Sequence, residues 1–593
     1  MTNFFSSILK SNIIVLLLLG VLALSAYSFM LHSPFKNLDD EFSIIRNVEI
    51  RDLANIPRFF TSTYFKVEKD YYRPMVYVSY TLEYRVFGLN YFFYNLDNVF
   101  IHILNAFFVF LVCGLLFHDR MRGFWVSVLF AVHPIHWEAV GNVSGRAILL
   151  CALFVLTAFY FLLRYIRDGR LRDIVLMSGC YALALLCKES AGMFIVVAAL
   201  YWLLVAKKSA GSLVRLWPLA LVVAGYLFIH HLMRLTVPFP WPSLSLMALG
   251  VTTFLNGVFT YIRLIFFPVN LYFDRARVVY ESFRDPRVWI TLGVYLSLLV
   301  LFVRYVCRMP KLVLFCIVWF WAELFPISQV VTSIGAYPSA ISLAEHFMYL
   351  ASIPVFILLV LAADTAVRKE VLSVKAVKIA AGGFIVFLYL MLVQQNIYAG
   401  NELLVLQNSL KNDPRNSRIE YALASVYVKT GRIDLAIDHF RKAVQLHDCN
   451  PNYRIALGKA LADNGEYLKA VRVYEAMPAR EDINPVLEGN KKAAYTALVK
   501  QYTEKLHVAP RDPELLFALG VFYGRLGRNA EAYDAFASVW SVDRTRFDAL
   551  FNMGVIADLL GETAKSKDAF AALLRVAAPD NTFRKQVEAR SKK

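Results

Sequence analysis

The chain has 593 residues, 58% hydrophobic and only 18% charged, with a mean hydropathy of +0.51. Soluble domains run at roughly half apolar and a quarter charged, so an ordinary soluble enzyme is excluded. The net charge of +17 does not point to nucleic acid, because Lys and Arg collect in short loops between apolar stretches and no basic helix or base-stacking module accompanies them.

The first apolar segment, Ile13–Leu24 behind Lys10, has the look of a leader. The stop at Leu31–Pro34 favours an uncleaved first span. Stretches long enough to cross a bilayer are expected at about 12–31, 91–117, 123–141, 147–163, 174–188, 190–206, 214–232, 288–306, 311–332, 343–366 and 376–395. One more, about 246–267, ends in Arg263 and runs into Phe266-Phe267-Pro268. If it dips in and returns, the inner loops hold Arg120 and Arg122; Arg164, Arg167, Arg170 and Arg172; Lys207, Lys208 and Arg215; Arg304, Arg308 and Lys311; Arg368, Lys369, Lys375 and Lys378. Every basic cluster then lies inside. The expectation is eleven spans plus one re-entrant segment, with the N-terminus cytoplasmic and the C-terminus outside.

Polar residues interrupt this pattern on the expected outer side. Asn37-Leu38-Asp39-Asp40-Glu41 follows the first span and opens an outer loop over 32–90; adjacent carboxylates so close to lipid are functional candidates. Asn98, His102 and Asn105 share one helical face, which must look into the bundle, and Asp97 lies beside it. Interhelical hydrogen bonding would explain that face as well as a substrate role. His133-Pro134-Ile135-His136-Trp137-Glu138, with Asn142 and Gly145-Arg146, ends the third span. It lacks the i,i+4 spacing of a zinc helix, and a polar cavity wall fits it better. Arg73-Pro74, Lys188-Glu189, Arg263, Asp274 and Glu345-His346 lie on the same side. Carboxylates and cations gathered on one face suit transfer chemistry on a phosphorylated, lipid-linked substrate. The seven cysteines form no CxxC pair, so no disulfide framework or zinc site is expected.

Beyond residue 398 the sequence reads as soluble and periodic. Leu423, Tyr427, Gly431, Ala436 and Phe440 recur 34 residues later as Leu457, Leu461, Gly465, Ala470 and Tyr474. Leu519, Tyr523, Gly527, Ala532 and Phe536 recur as Met553, Ala557, Gly561, Ser566 and Phe570. The spacing predicts tetratricopeptide-repeat (TPR) helix–turn–helix units, with glycine ending helix A and small residues letting helix B lie close. Residues 478–510 are expected to hold a degenerate unit. The fold class is therefore all-α: a transmembrane helical bundle over 1–398, then a TPR solenoid over 399–593. Such stacks present a face to a peptide or partner protein.

The order of motifs carries a resemblance. The acidic pair with Ile45 and Asn47 is followed by Tyr72-Arg73-Pro74, His102 with Asn105, and His133-Pro134-Ile135-His136-Trp137-Glu138-Ala139-Val140 with Gly145-Arg146-Ala147. Lys188-Glu189-Ser190, Pro268–Leu271 with Asp274, Ala344-Glu345 and the repeats come next. This resembles the transmembrane and TPR-repeat-containing protein O-mannosyltransferases of the GT-C glycosyltransferase superfamily. The resemblance implies a donor sugar, mannose-like, on a polyprenyl phosphate (dolichyl phosphate in eukaryotes), and a Ser or Thr acceptor on an exported protein. One carboxylate of the pair is implied as general base: Asp39 with Asp40 beside it, or the reverse. Glu138 would orient the acceptor. Arg73, Arg146, Lys188 and Arg263 are candidates for the phosphate, and His102, His133, His136, Glu189, Glu345 and His346 for other substrate contacts. His346 stands where the family commonly has arginine, and Ile148 where it often has an acid. Attack opposite the phosphate would invert the anomeric centre. No metal-ligand set is visible, and a divalent metal is left open. The short basic loops suit a bacterial inner membrane, with the solenoid periplasmic; a eukaryotic chain would sit in the ER membrane. A GT-C transferase acting on a glycolipid or surface polysaccharide is the alternative enzyme. A membrane-anchored scaffold without catalysis would not need the acidic pair and cations on one face.

Overall fold

The computed structural model describes residues 9–36, 39–61, 72–233, 243–331, 334, 340–448, 450–477 and 484–590. Asn37 and Leu38 of the acidic run, Cys449 and the start of the expected degenerate unit lie outside these. The chain divides into two compact units, Met1–Ala422 and Leu423–Lys593.

The first unit is a helical bundle. Its helices are α1 (Asn12–Tyr27), α2 (Pro74–Phe87), α3 (Tyr91–Phe117), α4 (Arg120–Val132), α5 (Arg146–Asp168), α6 (Leu171–Leu185), α7 (Trp217–Leu232), α8 (Leu244–Phe266), α9 (Pro286–Tyr305), α10 (Lys311–Leu324), α11 (Met348–Arg368), α12 (Val374–Ala399) and α13 (Glu402–Asn412). Among the described residues, eight helical stretches are long and apolar enough to cross a membrane, as a multi-pass membrane protein requires. The other expected spans are shorter. The one expected over 123–141 stops at Val132, where His133 is extended (φ −75°, ψ 125°) ahead of Pro134; a residue before proline is pushed out of the helical region. The 190–206 stretch is a 3₁₀ turn, a short α-helix and a π turn in succession.

The 246–267 segment is one unbroken 23-residue helix, α8, about 35 Å long at 1.5 Å per residue. A helical hairpin within it is ruled out. The chain that follows nevertheless comes back beside it: the Tyr280 N–H donates to Thr253 Oγ1 (3.1 Å). Residues 276–278 (β1) pair antiparallel with 340–342 (β2), with Ala276 opposite Ser342. Tyr261 at the same time donates to the Ala344 carbonyl (3.1 Å).

The second unit is a solenoid of paired helices. α14 (Ser417–Lys429), which begins in the first unit, is followed by α15 (Ile433–Leu446), α16 (Pro451–Asp463), α17 (Tyr467–Glu475), α18 (Asn484–Val508), α19 (Pro513–Arg525), α20 (Asn529–Val542), α21 (Phe547–Leu559), α22 (Thr563–Val576) and α23 (Thr582–Arg590). Gly431, Gly465, Gly527 and Gly561 all end a helix with φ between 74° and 79°, the left-handed conformation that β-carbons disfavour. Ala436, Ala470 and Ala532 are fully buried. Instead of a degenerate helix–turn–helix, the described part of 478–510 is the single long helix α18.

Candidate active site

The polar residues of the first unit sort into three groups. The first is buried and structural. On α3, Asn98 donates to the Val140 and Asn142 carbonyls (3.2 and 2.7 Å). Asn105 donates to the Leu149 carbonyl (3.0 Å) and to the Tyr349 hydroxyl (3.1 Å). His102 lies 2.7 Å from the Tyr349 hydroxyl and 3.2 Å from the Ala131 carbonyl. His133 is held between the Ile135 N–H (3.1 Å) and the Ile265 carbonyl (2.9 Å). His136 lies between the Phe130 carbonyl (2.9 Å) and Ser352 Oγ (3.0 Å). All three imidazoles are fully buried and both nitrogens of each are taken by protein groups, so they tie α3, α4, α8 and α11 together.

Arg146 belongs to the same class. Its guanidinium is fully buried and forks onto Glu83 (2.8 and 3.0 Å). It also meets Asp97 (2.7 Å), Asn98 Oδ1 (2.6 Å) and the Tyr94 carbonyl (3.0 Å). A guanidinium so fully paired has nothing left to offer a phosphate. Arg263 is exposed on α8 and, among the described residues, has no part in these networks.

The second group pins the acidic pair. Asp40 is 2% exposed. It accepts from its own loop at the Lys36 N–H (3.0 Å) and from the Ser144 N–H (2.9 Å). Lys36 Nζ donates to the Gly141 carbonyl (3.0 Å) and to Asn142 Oδ1. Asn142 donates back to the Glu138 carbonyl (2.8 Å). The loop after α1 is therefore clamped onto the segment carrying Glu138. Burial pushes the Asp40 carboxyl up, while the Lys36 and Ser144 N–H groups and the Lys36 charge hold it down. Asp39 points the other way: its side chain is 61% exposed and approaches Arg418 at 3.9 Å.

The third group surrounds Glu138. Its carboxylate accepts from the His346 N–H (3.0 Å) and the Asp274 N–H (3.4 Å), and pairs with His346 Nδ1 (3.2 Å). Asp274 meets Arg418 at 3.4 Å, so one guanidinium stands between Asp39 and Asp274. Burial lifts the Asp274 carboxyl to about 6 against the opposing pull of Arg418. Its carbonyl is held by Asn416 (2.8 Å). Glu345 is turned inward, bound by Trp137 Nε1 (2.6 Å), Arg275 (2.7 Å) and the Tyr272 N–H (3.2 Å). Arg73 forks onto Glu189 (3.1 and 2.7 Å). Lys188 has no carboxylate partner among the described residues; its ammonium lies 5.7 Å over the Phe347 ring, next to His346. No group of three or more His, Cys, Asp or Glu among the described residues is arranged to hold a metal ion.

Sequence reasoning missed Lys36, Arg275, Asn416 and Arg418. Lys36 had no signal of its own, being one of eight Lys and Arg residues in the loop over 32–90. Arg418 and Asn416 had none, because they reach Asp39 and Asp274 from beyond the last span.

Comparison with known proteins gives this geometry a context. Protein O-mannosyl-transferase Tmtc1 of Drosophila melanogaster is 33% identical over 184 residues, 29% of this chain and 21% of that protein. Human TMTC3 is 32% identical over 181 residues, 28% of this chain and 19% of the relative. The Caenorhabditis elegans F38B6.6 protein is 29% identical over 280 residues, 44% and 39%. These relatives are protein O-mannosyl-transferases. The matches span a fifth to two-fifths of their length. The resemblance read from the motifs is thus met by the curated relatives. The tetratricopeptide-repeat family model matches residues 404–454 and 421–482, where the repeat was read. A solved TPR protein, YrrB, described as having an unusual peptide-binding site, is 16% identical. It covers 32% of this chain and 98% of its own, with a TM-score of 0.17.

Proposed function

We propose that the chain is a membrane glycosyltransferase that moves a mannose-like sugar from a polyprenyl-phosphate carrier to Ser or Thr hydroxyls of exported proteins, on the outer face of the membrane. The observation that carries the reading is the division of labour in the acidic pair. Asp40 is buried and anchored by two backbone N–H groups, while its neighbour Asp39 is exposed. A base must reach the proton it removes, so Asp39 is the base and Asp40 the residue that positions it.

The acceptor hydroxyl oxygen attacks the anomeric carbon as its proton passes to Asp39. The bond from that carbon to the carrier phosphate breaks, and the phosphate leaves with the electron pair, inverting the centre. Lys188, unpaired with any carboxylate among the described residues, is the cation for the leaving phosphate, with Arg73 beside it on Glu189. Glu138, fixed by His346 and Asp274, lines the acceptor side. Positioning and fixed charges supply most of such a rate enhancement.

The outer-face assignment rests on the positive-inside pattern. It is supported by the convergence of Asp39, Glu138, Asp274 and His346, all from loops assigned to that face. The repeats fit recruitment of a protein acceptor or partner.

Asp39→Asn should lower transfer at least about 10²–10⁴-fold, the usual worth of a positioned base, with membrane insertion unchanged. The assay is transfer of labelled mannose from polyprenyl-phosphate mannose to a Ser/Thr-rich peptide. Undiminished transfer by the variant removes Asp39 from the mechanism. Transfer by the wild type to glycan acceptors but to no peptide would reassign the acceptor.

A further inference from the structure

A second polar site is lined by the chain that follows Asp274. A cavity of about 670 Å³ is lined by Asn256 of α8, Arg277 of β1, Tyr280 and Glu281 of the returning chain, Arg287 at the start of α9, and Arg415. Asn416 donates to the Asp274 carbonyl; two residues on, Arg418 faces Asp39 and Asp274, and one residue before Asn416, Arg415 lines the cavity.

The charges of the lining do not cancel. Arg287 is forked onto Asp285 (3.0 and 2.6 Å), which removes that pair from the account. Arg277 and Arg415 have no carboxylate within ion-pair distance among the described residues, and Glu281 is the one acid left in the lining. Two guanidinium groups against one carboxylate leave a net positive cavity. Guanidinium forks match phosphate oxygens.

The surroundings say where the phosphate comes from. Directly beyond Arg287, α9 exposes Trp289 and Ile290, and α8 exposes Phe259 and Ile262 one to two turns beyond Asn256. Both helices are apolar enough to cross a membrane. Arginines with a tryptophan at the head of a lipid-facing helix are the usual furniture of the headgroup level. A ligand with its phosphate in the cavity can run its chains down the apolar faces of α8 and α9.

We propose that this cavity seats the phosphate group of a membrane lipid. The phosphate accepts from Arg277 and Arg415, with Asn256 at hand for an ester oxygen. No bond is made or broken. The site is distinct from the Lys188 side of the acid cluster, and its existence does not depend on Asp39 being a base.

The test uses the full chain in detergent, titrated with phosphatidylglycerol, with a short polyprenyl phosphate, and with diacylglycerol, and read by native mass spectrometry. The wild type should retain at least one phosphate lipid and not diacylglycerol. Arg277→Gln/Arg415→Gln should lower that retention about tenfold, the usual worth of a charged hydrogen bond or two, while Arg277→Lys/Arg415→Lys, which keeps the charge and loses the forks, should fall between it and the wild type. Loss of phosphatidylglycerol assigns a bilayer lipid; loss confined to polyprenyl phosphate assigns the carrier. Equal retention by wild type and the Gln variant, or retention of diacylglycerol as strong as that of the phosphate lipids, overturns the proposal. Should the Gln variant not fold, a photoreactive phosphate lipid should label the wild type within 277–287 or at 415. Labelling only elsewhere also overturns it.

Discussion

Asp274 shows how a single side chain can report the state of the acid cluster. It is 8% exposed, and its folded carboxyl titrates near 6 against 3.8 for the free group. The folded protein therefore binds this proton more tightly than the unfolded chain does. The stability so gained is complete below about pH 4 and is lost as pH rises through about 6. Asp274→Asn carries the neutral form at every pH. Wild type and variant should melt alike near pH 4 in detergent. By pH 7 the wild type should be the less stable, by up to about 3 kcal/mol for a shift of about two units. A difference that stays flat between pH 4 and 7 would show that Arg418 holds Asp274 ionised throughout. Residue types at this site were legible in sequence; which of them the fold pairs off was not. Asp39, Asp40, Glu138 and Lys188 stood out because charge beside lipid is costly. Nothing in the chain order told the structural Arg146 from a substrate cation; only its fork onto Glu83 did that.

Elements were read well where periodicity alone decides them and poorly where a local bond does. The repeat glycines were placed by spacing and take the expected left-handed conformation. The break at His133 depends on Pro134, and the return beside α8 depends on the Thr253–Tyr280 bond; hydropathy sees neither. The solenoid also contains a packing rule beyond the 34-residue spacing. Gly458, Gly520 and Gly554 sit in the middle of their A helices, and each faces an aromatic ring of the next B helix. A Cβ on Gly520 would lie 2.7 Å from the Phe536 ring, and those on Gly458 and Gly554 would lie 2.3 and 2.4 Å from Tyr474 and Phe570. The rings are packed, so the helices must part. Gly520→Ala should cost about 1–3 kcal/mol, the usual toll of overpacking. It should lower the melting transition of the second unit and leave that of the first in place. A variant melting at or above the wild-type temperature would mean that the A and B helices separate without penalty.

At the scale of the molecule, the boundary between bundle and solenoid lies deeper in the chain than hydropathy suggests. Apolar character ends near residue 398, yet the first compact unit runs to Ala422. The added stretch has work to do there. Asn408 holds the Leu271 carbonyl (3.1 Å), Asn416 holds the Asp274 carbonyl, and Arg418 stands between Asp39 and Asp274. Polar residues that fix a loop over a membrane face are invisible to hydropathy, because each is an ordinary helix-surface residue by type. A chain ending after Ala399 keeps every apolar helix of the bundle but loses all three contacts. A chain ending after Gly431 keeps them and loses nearly all of the solenoid. Both should reach the membrane fraction. If loop 270–275 is part of the transfer site, the shorter chain should transfer mannose to a short soluble peptide at least about 100-fold more slowly than the longer one, since a misplacement of about 1 Å at a reacting centre costs that much. Equal rates would confine the contribution of residues 400–431 to linking the two units, and would leave Asp39 with no need of Arg418.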